Sequence, residues 1–106
     1  MKIEAVGKPA GCKLLRISAE LTEPANDDCV VSAISIRGDF FAIPEEKFEM
    51  AESRLRGTAL GKIGDVFDAE IRNLGIQVMG ISGQGVLATI RGAIDETSVQ
   101  DTADRA

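Results

Sequence analysis

Two short runs hold the residues whose types and spacing could do chemistry: Gly11-Cys12-Lys13 and Arg37-Gly38-Asp39-Phe40-Phe41. They offer two cations, one carboxylate, one thiol, and glycines that let a ligand or a partner's backbone come close. That set suits electrostatic work, in which a fixed cation steadies charge developing on an oxyanion or a phosphate. It does not suit bond breaking by this chain alone. The sequence holds no histidine, which removes the commonest general base, the commonest metal ligand and every Ser–His or Cys–His nucleophilic pair. Cys12 and Cys29 remain as candidate thiol nucleophiles, and an unactivated thiol reacts poorly near neutral pH.

Other patterns carry less. There is no CxxC, and Gly80-Ile81-Ser82-Gly83-Gln84-Gly85 resembles a nucleotide loop only superficially, without the preceding strand and following lysine of a P-loop. It reads as a structural turn. Glu45, Glu46, Glu49 and Glu52 fall on successive turns of an expected helix, where solvated charge is the default. No residue set is expected to bind a metal, and no catalytic residue is assigned to this chain.

Composition narrows the partners. A chain of 106 residues has room for one domain. The net charge of −5, with Lys and Arg dispersed, argues against nucleic acid, because phosphate binding needs a basic stripe. Neither an apolar run long enough for a membrane span nor a secretory signal stands in the sequence, so the expected location is cytoplasmic.

The elements that position the two runs follow from periodicity. Residues 1–6 make a short edge strand, and the glycines and Pro9 of 7–11 a turn. In 13–21, Leu15, Ile17, Ala19 and Leu21 alternate against Arg16, Ser18 and Glu20, a half-buried strand. Residues 22–28 are a polar connection, and 29–37, rich in Val and Ile, a second strand apolar on both faces. Pro44, followed by Glu45 and Glu46, opens a helix over 44–56, with Phe48, Ala51 and Leu55 on one side and Gly57 as its stop. Ile63, Val66, Phe67, Ile71 and Leu74 form the apolar stripe of a second helix over 62–74, ended by Gly75. Residues 76–81 are a short extended link. Ser82 is a candidate cap for a third helix over 84–95, although Val86, Ala88 and Ile90 also alternate as a strand would. The expected fold is α+β: a small antiparallel sheet of about three strands against two or three helices, filling 1–95. Residues 96–106 form an acidic, disordered tail in this reading.

Pairing the strands 13–21 and 29–37 as a hairpin brings the two chemical runs together. One register sets Leu15 opposite Ile36 and Ile17 opposite Ile34; another sets Ile17 by Ala33 and Ala19 by Val31. Either builds an apolar face and leaves Gly11-Cys12-Lys13 beside Arg37-Gly38-Asp39. Either also separates Cys12 from Cys29 by the length of the hairpin, roughly 27 Å, too far for a disulfide. Two free structural thiols are expected. On the residues alone the junction reads as a bulged strand end with a solvated Lys–Asp pair. The paired rings of Phe40 and Phe41 point to opposite faces, so one can enter the core while the other needs a second layer or a partner.

The order Gly11-Cys12-Lys13-Leu14-Leu15, then Ile36-Arg37-Gly38-Asp39-Phe40-Phe41, Pro44-Glu45-Glu46 and Leu55-Arg56-Gly57 resembles the accessory domain of lipoate–protein ligase A, in the form of a separate small subunit. The likeness spans about residues 8–95. Its Gly80-Ile81-Ser82 followed by an apolar helix favours helix for 84–95. The family pattern has Gly-Gly-Lys where this chain has Gly11-Cys12-Lys13. The resemblance implies a heterodimer with a large catalytic subunit. That complex uses ATP, Mg and lipoate to make lipoyl-AMP, then passes the lipoyl group to a lysine of an acceptor, a 2-oxoacid dehydrogenase E2 or glycine-cleavage H-type protein. It further implies that Gly11, Lys13, Arg37, Gly38, Asp39, Phe40 and Phe41 lie near substrate or partner, with Lys13 by the phosphates, Asp39 positioning it, and no cofactor held by this chain alone. A small scaffold module of similar fold, unconnected with lipoylation, is the alternative.

Overall fold

The computed structural model describes residues 1–24 and 26–105, with side chains as far as Asp95. The expected disordered tail falls on residues 96–106, whose side chains lie outside the described set. Strands β1 (Lys2–Gly7), β2 (Leu15–Leu21) and β3 (Val30–Gly38) come first, then β4 (Phe41–Ile43) and α1 (Glu45–Ser53). A short β5 (Thr58–Ala59) and a 3-10 turn lead into α2 (Ile63–Asn73), β6 (Gln77–Met79) and α3 (Gly83–Arg105).

The fold is α+β, as expected, with more strand pairing than the sequence suggested. An antiparallel sheet runs in the order β1-β2-β3-β5, and β4 and β6 form a separate antiparallel ribbon. The link over 76–81 therefore contains a strand, too short to show a period. Residues 84–95 are helical. Ser82 caps that helix as its sequence position suggested: its Oγ accepts the Gly85 N–H at 3.1 Å.

The alternating residues of β2 do what their pattern requires. Leu15, Ile17, Ala19 and Leu21 are buried, together with Ile3 and Ala5 of β1 and Val31 and Ile36 of β3. The helices cover this face with Ile63, Phe67, Val86 and Ile90, all fully buried. The opposite face carries Lys2, Glu4, Arg16 and Glu20 and is open to solvent, as an antiparallel sheet allows.

The register of the central hairpin differs from both expected ones. Ile17 pairs with Ile36, Ala19 with Ile34 and Leu15 with Gly38. The loop sets this. Thr22 donates its N–H to the Val30 carbonyl at 3.0 Å, and its Oγ1 accepts the Val30 N–H at 2.8 Å. A bulge between Glu20 and Leu21 then absorbs Ser32, whose hydroxyl donates to the Glu20 carbonyl at 3.1 Å. Both cysteines are free and buried.

Candidate functional site

The site residues gather where β2 begins and β3 ends, but in two groups. Gly38 holds φ at 150°, and a Cβ there would run into the Leu14 carbonyl oxygen. Only glycine fits. The Asp39 N–H then donates to that carbonyl at 3.0 Å, turning the chain out of β3 and toward β4. The partner of Gly38-Asp39 is thus Leu14-Leu15 rather than Gly11-Cys12-Lys13, which follows from the shifted register.

Gly11-Cys12-Lys13 packs instead against the segment that opens α3. The Lys13 N–H donates to the Gly80 carbonyl at 2.8 Å. Cys12 turns back on Pro9 through its N–H at 3.0 Å and places Sγ 3.6 Å from Ser82 Oγ. Gly11 has φ of 75°, whereas no non-glycine residue among those described has positive φ. The left-handed position of the loop therefore belongs to Gly11, and a cysteine after it meets no backbone obstacle. The sulfur fills the space that the absent side chain of Gly85 leaves open.

The Gly80–Gly85 segment does follow a strand, β6, contrary to the sequence reading. It still works as a turn and cap, because the N–H of Gly83 is taken by Asp68 Oδ1 at 2.8 Å and that of Gly85 by Ser82. No lysine follows it.

The side chains of Lys13 and Asp39 are exposed, and no ion pair joins them among the described residues. Arg37 reaches the other way. Its Nη1 donates to the Ile36 carbonyl at 2.9 Å and lies 3.4 Å from Glu52 Oε2. Glu52 corrects the reading of α1 as carrying only solvated carboxylates. It is 7% exposed and accepts the Ile36 N–H at 2.5 Å. Burial pushes its carboxyl above the usual carboxylate value, against the opposing pull of the Ile36 N–H and Arg37. Sequence held a faint signal: Glu52 stands four residues after Phe48 and three before Leu55, within the apolar stripe.

The two phenylalanines divide as their alternation requires. Phe40 is half-buried, its ring 5.2 Å from that of Phe48, which meets Phe67 edge-on at 6.0 Å. Phe41 is 67% exposed. Cross-strand pairing sets it opposite Met79, with Ile43 further along the same face opposite Gln77. Ile43 and Met79 were not singled out in the sequence, since they become neighbours of Phe41 only through the ribbon.

Exposed Lys13 and Asp39 thus lie at one end of a small α+β protein that also carries an exposed apolar ribbon. No protein-family model matches the chain. It is 30% identical over 78 residues to lipoate-protein ligase A subunit 2 of Thermoplasma acidophilum, across 74% of this chain and 77% of that relative. The fold matches a chain in a solved structure described as an archaeal lipoylation system, a bi-partite lipoate protein ligase and its E2 lipoyl domain from Thermoplasma acidophilum. That match has a TM-score of 0.64 at 26% identity and covers 84% of this chain and 93% of the other. The chain belongs to the family of lipoate–protein ligase A subunit 2.

Proposed function

We propose that this protein is the accessory subunit of a two-component lipoate–protein ligase, acting as a heterodimer with a catalytic subunit in the cytoplasm. The observation that carries this reading is the sequence similarity running through most of both chains, to a protein named as the second subunit of such a ligase. The scaffold alternative gains no support of that kind.

In the proposed reaction the lipoate carboxylate attacks the α-phosphorus of ATP, and pyrophosphate leaves. The acceptor's lysine amine then attacks the acyl carbon of lipoyl-AMP, and AMP leaves. In this reading ATP, Mg2+ and lipoate are the substrates and ion of the complex and are held by the partner. Acceptors are lipoyl-domain proteins of the E2 or H type. This chain contributes charge and position. Lys13, exposed and held at its backbone by Gly80, faces the phosphates, where a cation stabilises the charge that builds as pyrophosphate departs. Gly11, Gly38 and Asp39 shape the approach to it, and Arg37, Phe40 and Phe41 hold the adjoining surface.

The test is lipoyl-AMP formation by the catalytic subunit with and without this chain. Adenylation should rise strongly on its addition, and equal rates in both samples would refute the reading.

A further inference from the structure

We propose that the outer face of the β4–β6 ribbon, formed by Phe41, Ile43 and Met79, is the surface on which the catalytic subunit docks. The inference rests on the accessory-subunit reading above. These three side chains are 67%, 61% and 70% exposed. Strand pairing puts them on one face, so they form a patch rather than scattered surface residues. Val6 and Met50, the other exposed large apolar residues among those described, lie on β1 and α1 and not on the ribbon. The inner face of the ribbon, Ala42 and Val78, already packs on the core.

The patch adjoins a groove of about 700 Å³ whose lining includes Ile36, Phe40, Ala42 and Phe48. Glu45 and Glu49 also line this groove, with Arg37, whose guanidinium lies 3.4 Å from the Glu52 carboxylate, so the lining carries two carboxylates against one cation already engaged. That charge selects the occupant. With Arg37 engaged by Glu52, the two free carboxylates disfavour an anion such as lipoate, nucleotide or pyrophosphate, so the groove suits a protein side chain better than a substrate. A second copy of this chain would bring the same acidic rim toward itself. A partner presenting an apolar side chain flanked by Lys or Arg fits both the groove and its rim.

The ribbon also leads directly to the site. β4 starts just after Asp39, which is bonded to Leu14, and β6 ends just before Gly80, which is bonded to Lys13. A subunit seated on the ribbon therefore fixes both halves of the corner that carries Lys13.

Calorimetric titration of the catalytic subunit tests this with the wild-type chain, Phe41→Asp/Met79→Asp and Val6→Asp, alongside hydrogen exchange of the wild-type complex. The double variant should bind at least about 100-fold more weakly, as loss of a central apolar anchor does. Val6→Asp should bind like wild type, and amides of 41–43 and 77–79 should gain protection in the complex. If wild type does not bind the catalytic subunit, the accessory reading itself fails. If wild type binds while the ribbon gains no protection and the double variant binds equally, this docking surface is overturned and the accessory reading stands. Ribbon protection that depends only on the concentration of this chain would assign the face to a second copy and also overturn the proposal.

Discussion

At the scale of single residues, Glu52 is the sharpest departure from what its type and position suggest. A carboxylate on an acidic helix turn is normally solvated, yet this one closes the bonding of Ile36 from inside the fold. Its carboxyl is raised from 4.5 by burial, so across the interval from that value up to the native one the folded state binds more protons than the unfolded. Stability attributable to Glu52 is therefore fully present below the unfolded value and falls as pH rises through the native one. Glu52→Gln keeps an acceptor for Ile36 and abolishes this dependence. In urea titrations at several pH values, wild type should lose stability relative to Glu52→Gln as pH rises through the window; parallel curves would contradict the assignment. Glu52→Leu should cost about 1–3 kcal/mol below that window, because it leaves the Ile36 N–H buried without a partner. Cys12 teaches the opposite lesson. Its departure from the Gly-Gly-Lys pattern looks disruptive in sequence, yet the left-handed position of that loop falls on Gly11 and not on Cys12.

At the scale of elements, α2 and α3 meet through glycine. A Cβ on Gly83 would run into the Gly64 carbonyl, whereas a Cβ on Gly92 meets nothing within 4 Å. Gly83→Ala should thus destabilise by about 1–3 kcal/mol through forced separation of the helices, and Gly92→Ala should stabilise by up to about 1 kcal/mol through helix propensity. Thermal unfolding of the two variants checks both signs. Neither property could be read from the glycines themselves, because their positions in the sequence do not report what faces them. Long periodic elements were legible: the stripe from Ile63 to Leu74 and the alternation from Leu15 to Leu21 each specify a face. The hairpin register was not, because sliding β3 by two residues keeps every apolar side chain on its face. The choice was left to the Thr22–Val30 closure and the bulge at Ser32, which hydrophobic pattern does not report. The same limit hid β6, and with it the placement of Met79 beside Phe41 and of Gly80 beside Lys13. In the candidate site, Lys13 and Phe41 are exposed, and the neighbours they keep differ from those the hairpin register suggested.

At the scale of the whole molecule, a substitution at Lys13 tests whether the subunit merely docks or takes part in activation. Its backbone is pinned to Gly80 while its side chain is exposed, so Lys13→Ala removes a charge without removing the contact that holds the loop. A cation serving the departing pyrophosphate acts in adenylation and has no such group to serve once lipoyl-AMP exists. Lys13→Ala should therefore slow adenylation by about 10–1,000-fold, the range for loss of one charge-stabilising donor, and leave transfer from preformed lipoyl-AMP to the acceptor lysine nearly unchanged. Binding to the catalytic subunit should also persist under the proposal that the ribbon, and not Lys13, is the docking surface. Single-turnover assays of the two half-reactions separate the cases: equal loss in both steps reduces Lys13 to a docking contact, and loss in adenylation alone assigns it to the phosphates.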